Sequence, residues 1–295
     1  METIATEGAA EGVRGPRVRP TIRLGIALWL AYSALAGVLQ FRTGIPYTDW
    51  FKTAGNAFAT AVFPLSLGGL ALLAFTRWCR WDHVWRDPVR LRCTGLMKLS
   101  MLAWMAMIAF RLVGIQWSAV PPDLLLAILA AGVGVGFAEE LLFRGLFLRC
   151  LRQGGRSEST AAIWTGVCFG LFHLPNMAMG MGWIGAIQVV LAALSGILLY
   201  VFRRYTGLLW PAMVAHGLWD ISTFLAGGYA YPWLSMASVA AQGVFVVLGL
   251  LVYAGLYRSD RDTVVLPALP PHGGVPLAGS LHSNAQPPST GPAAP

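Results

Sequence analysis

Residues 124–148 form a long apolar stretch in which Glu139, Glu140 and Arg144 are the only ionisable residues. A bilayer is crossed by roughly 20 predominantly apolar residues, so this stretch is long enough to span one. Ionisable side chains at membrane depth are costly and mark a functional site by default. The competing interpretation is a structural Glu–Arg ion pair that locks two helices together. Partners elsewhere in the sequence are needed to distinguish the two.

The whole chain has the composition of a membrane protein. Of its 295 residues, 56% are hydrophobic and 12% are charged, whereas about 25% of residues are charged in soluble domains. We predict an all-α polytopic membrane protein with eight transmembrane helices, in a membrane domain over residues 22–258. The predicted spans are 23–41, 57–76, 99–117, 124–151, 160–173, 183–202, 208–225 and 234–257. The polar, proline-containing segments 1–21 and 259–295 are predicted to be disordered.

The positive charge of the chain is concentrated in alternate loops. Arginines and lysines cluster in residues 77–98, 149–158 and 203–204, whereas the intervening loops carry almost no charge. Because basic loops stay on the cytoplasmic side, this alternation predicts a multi-pass protein of the cell membrane with both termini in the cytoplasm. The formal net charge of +8 is therefore explained by membrane topology, and no nucleic-acid partner is predicted.

Three of the predicted helices carry polar residues at a similar depth. With a rise of about 1.5 Å per residue, Glu139 lies about 15 Å, His216 about 18 Å and His173 about 21 Å from the basic surface. In a hydrocarbon core of about 30 Å, these side chains fall near the middle or slightly beyond it. They are expected to face one another or a water-filled cavity, so a functional site is favoured over a structural cluster.

Sequence spacing gives the two glutamates different environments. Glu140 precedes Arg144 by four positions, the favourable order for an ion pair on one helix face, whereas Glu139 is rotated by about 100° from Glu140. We therefore predict that Glu140 pairs with Arg144 and that Glu139 is the freer carboxylate, suited to act as a general base. One turn earlier, Gly132-x-x-x-Gly136 permits the close approach of a neighbouring helix.

The same four-residue spacing places Asp220 on the face of His216, and Phe169 on the face of His173. A carboxylate and two imidazoles at one cavity suit hydrolysis of a peptide bond by an activated water, with the second histidine helping to stabilise the oxyanion. Glu139, His173 and His216 could instead hold zinc, but H-E-x-x-H is absent. No cofactor is therefore expected, and zinc is the weaker alternative.

Three short motifs on separate apolar stretches carry a family resemblance: Glu139-Glu140-x-x-x-Arg144, Phe169-x-x-x-His173 and His216-x-x-x-Asp220. In this order they resemble the signature of the CAAX-protease and bacteriocin-processing (CPBP/Abi) family of intramembrane glutamate endopeptidases. The resemblance covers about residues 124–225 and places the protease core at about 121–225. It implies eight membrane helices, a site open to the cytoplasm, and cleavage of a peptide bond by a glutamate-activated water.

The resemblance also implies roles for the residues of the first two motifs. Glu139 and His173 would activate the water, while Glu140 and Arg144 would support the site. The Phe169 ring, on the helix face of His173, is expected to pack against the site and position the imidazole.

The third motif contains a departure from the family pattern. By resemblance, His216 and Asp220 would form the pair that stabilises the oxyanion. Many family members have asparagine where this chain has Asp220, and a carboxylate donates a hydrogen bond only when it is protonated. Asp220 is therefore expected either to be neutral or to orient His216.

Two other functions fit parts of the pattern. A non-catalytic scaffold or a bacteriocin-immunity-like protein would bind a hydrophobic peptide and use the polar cluster to hold its helices together. A transporter with a proton relay is disfavoured because the two halves of the chain show no repeat. As partners we expect the lipid bilayer and a peptide or lipidated-protein substrate at the membrane.

Overall fold

The structure, a computed structural model, describes residues 15–261. In this part of the chain the fold is helical and contains eight long helices. Their bounds are α1 Ile22–Arg42, α2 Ala54–Cys79, α3 Gly95–Val113, α4 Pro122–Gln153, α5 Glu158–Phe172, α6 Ile184–Thr206, α7 Trp210–Tyr229 and α8 Pro232–Arg261. Two of them contain a wider π-helical stretch, Phe58–Val62 in α2 and Leu141–Phe147 in α4.

Each predicted span overlaps one of these helices, with ends that differ by up to four residues. Six of them, α1, α2, α3, α4, α6 and α8, are long and apolar enough to cross a membrane. α5 has only 15 residues, and the 20 residues of α7 include His216 and Asp220, which lower its hydropathy. The all-helical polytopic class is therefore confirmed, whereas membrane crossing by α5 and α7 stays a prediction.

The segments predicted to be disordered lie mostly outside the described residues. Near the start of the described chain, Arg17 donates its backbone N–H to the carbonyl of Cys79 at 3.1 Å. The Trp81 indole donates to the carbonyl of Val18 at 2.7 Å. At the other end, α8 continues to Arg261. Residues 17 and 18 are thus attached to the end of α2 and the loop that follows it.

Local chemistry explains where several helices begin. The side chains of Thr21, Thr94 and Ser157 accept hydrogen bonds from backbone N–H groups in the first turns of α1, α3 and α5. Serine and threonine are favoured N-caps because they satisfy donors that have no partner inside the helix. α4 and α7 instead carry Pro122 and Pro211 in the first turn, where the missing N–H removes no helical hydrogen bond.

Glycines bring α4 and α7 into backbone contact. A Cβ atom at Gly136 would lie 2.3 Å from the carbonyl oxygen of Met213, and one at Gly217 would lie 2.6 Å from that of Gly132. Only glycine fits at such distances, and small residues are a common means of close helix packing in membranes. The close approach predicted for Gly132-x-x-x-Gly136 is therefore confirmed, with α7 as the partner helix.

A similar contact joins α5 to α6. A Cβ atom at Gly170 would lie 2.4 Å from the carbonyl oxygen of Val189, and one at Gly196 would lie 2.8 Å from the Cα atom of Gly166. The two close pairs therefore fix α4 against α7, which carry the first and third motifs, and fix α5, which carries Phe169 of the second motif, against α6.

A buried ionic network joins the loop between α2 and α3 to the ends of α4, α5 and α6. Asp87 of this loop lies 2.5 Å from Nη2 of Arg203 and 2.9 Å from Nη1 of Arg152. Arg152 also pairs with Glu158 at 2.7 Å. Arg203 donates to the backbone carbonyl of Arg144 at 2.7 Å, inside the π-helical stretch of α4. The three loops that are predicted to be cytoplasmic therefore meet at one end of the helices.

Candidate active site

A cavity of about 210 Å³ lies among the helices that carry the three motifs. Five of the predicted site residues line it: Glu139, Phe169, His173, His216 and Asp220. Glu140 and Arg144 are fully buried beside the cavity rather than in its lining. The structure thus brings the residues of all three motifs to one place.

The ion pair predicted within α4 is present. Nη1 of Arg144 lies 2.6 Å from Oε1 of Glu140, and both side chains are fully buried. Nη2 of Arg144 also donates to the carbonyl oxygen of Gly196 at 2.8 Å. Because the partner carbonyl belongs to α6, the Arg144 side chain holds α4 against α6 as well as neutralising Glu140.

His216 is held by Glu140 rather than by its neighbour on α7. Nδ1 of His216 lies 2.9 Å from Oε1 of Glu140. Nε2 of His216 lies 3.8 Å from Oδ2 of Asp220, which is beyond hydrogen-bonding distance. Since an ionised carboxylate only accepts hydrogen bonds, Nδ1 of His216 carries a proton and Nε2 faces Asp220. The contact between Glu140 and His216 was not predicted from the sequence.

The second histidine, His173, follows directly after the last residue of α5. Its Nδ1 atom lies 2.9 Å from the carbonyl oxygen of Phe169. A carbonyl oxygen only accepts, so Nδ1 carries the proton and Nε2 of the neutral imidazole is an acceptor. His173 therefore presents to its surroundings the nitrogen that can accept a proton or a hydrogen bond from water.

Glu139 differs from Glu140 in having no charged partner within hydrogen-bonding distance in residues 15–261. The residue is 4% exposed, and its Oε2 atom, like that of Glu140, is buried without a hydrogen-bond partner among the described residues. It lines the same cavity as His173. The geometry therefore agrees with the predicted division between a paired Glu140 and a freer Glu139.

The Phe169 ring connects the two histidines. It makes edge-to-face contacts with the imidazoles of His173 and His216, at centroid distances of 5.1 and 5.3 Å. The Arg144 guanidinium lies over the same ring, 4.7 Å from its centroid. Phe169 thus packs against residues from all three motifs, and the expected contact with His173 is confirmed.

Sequence reasoning missed a polar chain on another wall of the cavity. Nδ2 of Asn176 donates to Oε1 of Gln188 at 2.9 Å, and Nε2 of Gln188 donates to the hydroxyl of Tyr47 at 3.0 Å. All three residues line the cavity. Tyr47 belongs to the link between α1 and α2, where no spacing or motif distinguishes it, so only the tertiary fold reveals its position.

The arrangement does not supply a ready set of metal ligands. Within residues 15–261, no three His, Cys, Asp or Glu side chains are grouped so that they could hold one metal ion. Glu139, His173 and His216, the residues named for the zinc alternative, share the cavity but do not form such a group. The steps proposed below therefore involve no metal.

The fold and the site define a polytopic helical membrane protein with a carboxylate and two histidines at a buried cavity. Residues 121–222 match the family model of the type II CAAX prenyl endopeptidases, described as Rce1-like. This stretch runs from the start of α4 into α7 and contains all three motifs. The resemblance to the CAAX-protease family is thereby confirmed over this segment, and the family indicates a membrane protease that acts on membrane-associated proteins. Comparisons with curated proteins and with solved structures gave no match.

Proposed function

We propose that the chain is an intramembrane endopeptidase of the CAAX type, in which Glu139 and His173 activate a water molecule. One observation carries this proposal: Glu139, which has no ion pair among the described residues, lines the same cavity as His173, whereas Glu140 is paired with Arg144. A carboxylate and an imidazole at one cavity can together activate a water molecule by general-base catalysis.

The chemistry follows from these two side chains. Nε2 of His173 accepts a hydrogen bond from the water, and Glu139 takes a proton from it as general base. The water oxygen attacks the carbonyl carbon of the scissile bond, and the C=O electron pair moves onto the carbonyl oxygen. When this oxyanion collapses, the C–N bond breaks and the proton held by Glu139 passes to the departing amine. Glu139 ends the cycle ionised, and no covalent enzyme intermediate forms.

The remaining motif residues support this reaction. Glu140 fixes His216 through Nδ1, and Arg144 compensates the buried charge of Glu140. His216, with Asp220 facing its Nε2 atom, is assigned to stabilise the developing oxyanion when the imidazole is protonated. The negative charge of Asp220 then favours the protonated imidazole of His216. This role explains why the chain can have an aspartate at a position where family members usually have asparagine.

The topology that accompanies this function has eight spans, with both termini in the cytoplasm. The meeting of the three basic loops at one end of the helices supports it, because loops on one side of a membrane must lie together. The substrate is a peptide or a lipidated protein of the membrane, and a prenylated CAAX sequence is the first to test.

The test uses the full chain in proteoliposomes and an internally quenched peptide that ends in a farnesylated Cys-aliphatic-aliphatic-Met sequence. We expect the wild type to cleave this peptide, and Glu139→Gln and His173→Ala to lose at least about 10²-fold in kcat, the lower range for removing a general base. The unprenylated peptide, run beside it, measures how much the lipid contributes.

Asp123→Asn is the matched control, because it makes the same carboxyl-to-amide change on an exposed residue of the same helix. It should cleave as the wild type does. If Glu139→Gln also cleaved at the wild-type rate, the proposal would be wrong. If both glutamate and histidine variants instead lost the fold, as judged by thermal unfolding in detergent, the polar cluster would be structural and the non-catalytic alternative would be preferred.

A further inference from the structure

The Tyr47 side chain reaches the candidate active site from outside the eight long helices of the described residues. It lies in the short turn Tyr47–Asp49, in the link between α1 and α2. Its ring lines the same cavity as Glu139, His173 and Asp220. None of the roles assigned above uses this residue.

The hydrogen bonds of Tyr47 leave its hydroxyl proton available. Nε2 of Gln188 donates to the Tyr47 hydroxyl at 3.0 Å, while Oε1 of Gln188 is occupied by Nδ2 of Asn176 at 2.9 Å. Gln188 therefore turns its donor group towards the tyrosine, whose oxygen acts as the acceptor. Within residues 15–261 no acceptor is bonded to the Tyr47 O–H.

The charge state of Tyr47 suits a donor. Burial raises its pKa to about 12, the hydrogen bond from Gln188 opposes this rise, and the nearby carboxylates of Asp220 and Glu139 add to it. The phenol therefore remains protonated at neutral pH.

A second donor would add to the protonated His216 that is assigned to the oxyanion above. An ionised Asp220 cannot donate a hydrogen bond, and the Nδ1–H groups of His216 and His173 are directed to Glu140 and Phe169. Two other donors that line the cavity are also engaged. The indole N–H of Trp50 bonds to the carbonyl of Ile45 at 3.2 Å, and that of Trp104 bonds to the carbonyl of Ala215 at 3.0 Å.

Tyr47 is held firmly enough to act as a fixed donor. Its ring packs on Trp50 with a centroid distance of 4.6 Å. The preceding residue, Pro46, lies against Gly180 of the link between α5 and α6, 3.3 Å from where a Cβ atom of Gly180 would be. A donor that is already oriented needs no rearrangement when charge develops, which is the basis of oxyanion stabilisation.

We propose that Tyr47 is a catalytic residue of this site, whose hydroxyl donates a hydrogen bond to the carbonyl oxygen of the scissile peptide as negative charge develops on it. No proton is transferred from Tyr47, and the bond relaxes when the oxyanion collapses. His216 and Tyr47 then contact the oxyanion from two sides, which compensates for the carboxylate at Asp220. This inference rests on the proposed endopeptidase function.

The test compares Tyr47→Phe with the wild type in the proteoliposome assay with the farnesylated peptide. Removing one oxyanion donor lowers kcat by about 10²-fold or more. KM should change by less than about threefold, because the hydrogen bond strengthens only in the transition state. The matched control is Tyr231→Phe. Tyr231 is exposed and does not line the cavity, so this variant should keep the wild-type kcat.

A second measurement separates the hydroxyl from a general effect on folding. A phosphinate analogue of the same peptide carries an anionic oxygen in place of the oxyanion. Its inhibition constant should rise in Tyr47→Phe by about the factor lost in kcat. A merely structural change would instead alter KM and the inhibition constant together.

The outcomes distinguish the two proposals. If the wild type leaves the peptide intact, or Glu139→Gln cleaves at the wild-type rate, the proposed function fails and the assignment of Tyr47 fails with it. If Glu139→Gln is inactive while Tyr47→Phe keeps the wild-type kcat and phosphinate affinity, only the assignment of Tyr47 is wrong. A loss confined to KM would also overturn it.

Discussion

Nδ1 of His216 lies 2.9 Å from Oε1 of Glu140, and the same oxygen lies 2.6 Å from Nη1 of Arg144. One carboxylate oxygen therefore binds a cation of its own helix and an imidazole of α7. Because all of these groups are buried, Glu140 fixes the position of α7 relative to α4 at the level of the cavity. Glu139, one residue earlier, is left to face that cavity.

The first prediction concerns the different roles of the adjacent glutamates. Glu140→Gln removes the negative charge from a buried pair and leaves the Arg144 guanidinium uncompensated, which costs about 3–5 kcal/mol. Glu139→Gln removes a carboxylate that has no partner in residues 15–261, so it should not lower stability. Thermal unfolding in detergent measures both. A greater loss of stability in Glu139→Gln than in Glu140→Gln would contradict this division.

The second prediction concerns the contact between α4 and α7. In Gly136→Ala the new methyl group would lie 2.3 Å from the backbone carbonyl of Met213, which cannot retreat without moving α7. Because α7 carries His216, its displacement should disrupt the bond to Glu140. A displacement of about 1 Å at an active site can reduce activity by about 10²-fold, and we expect a loss of this order in kcat.

The same helix offers a control for this variant. A Cβ atom at Gly134 would lie 3.4 Å from the Cβ of Leu65, which is an ordinary contact. Gly134→Ala should therefore keep full activity, and its stability should rise by about 0.5–1 kcal/mol because alanine is the better helix former. Equal activities of the two alanine variants would show that close packing of α4 on α7 does not position the site.

Part of the site could be predicted from the sequence because its residues are close together on one helix. Glu140 and Arg144 lie on one helix at a fixed spacing, so their pairing follows from helix geometry alone. The bond from Glu140 to His216 joins residues 76 positions apart. The positions of Glu140 and His216 along their helices predict that they lie at a similar depth. The contact between Nδ1 of His216 and Oε1 of Glu140, however, depends on how α4 and α7 pack against each other.

Other features depend on distant residues in the same way. The π-helical stretch Leu141–Phe147 is supported by Arg203 of α6, which donates a hydrogen bond to the carbonyl of Arg144. No local sequence pattern predicts this stretch. The positions of the spans could be predicted from apolar runs. The membrane-spanning character of α7 could not be confirmed by hydropathy, because the polar residues that give this helix its proposed role also lower its apolar score.

The third prediction concerns metal dependence. No three ligating side chains are grouped for a metal ion within the described residues, and the proposed steps need only Glu139 and His173. We expect cleavage of the farnesylated peptide to persist after dialysis against EDTA and in the presence of 1,10-phenanthroline. Loss of activity that is restored by added zinc would instead favour the zinc alternative with Glu139, His173 and His216.

The fourth prediction concerns Asp87 and the acid stability of the fold. Burial raises the pKa of Asp87, but Arg152 and Arg203 beside it lower the pKa by more, so that it lies below its ordinary value. A carboxyl with a lower pKa in the folded state stabilises the fold above its unfolded pKa of about 3.9. This stabilisation is lost as the pH falls through the folded pKa.

We therefore expect Asp87→Asn to unfold at a lower temperature than the wild type at pH 7, because Arg203 and Arg152 lose their counter-charge. Removing one partner of a buried ion pair lowers the free energy of unfolding by about 3–5 kcal/mol. The difference should begin to shrink as the pH falls below about 4, where the Asp87 carboxyl of the unfolded chain becomes protonated, and it should vanish once the pH is below the lower pKa of the folded state. Thermal unfolding of both proteins between pH 7 and pH 3 measures this, with Asp123→Asn as the exposed control. A difference that stays constant over this range would mean that the charge of Asp87 does not hold the loop against α4 and α6.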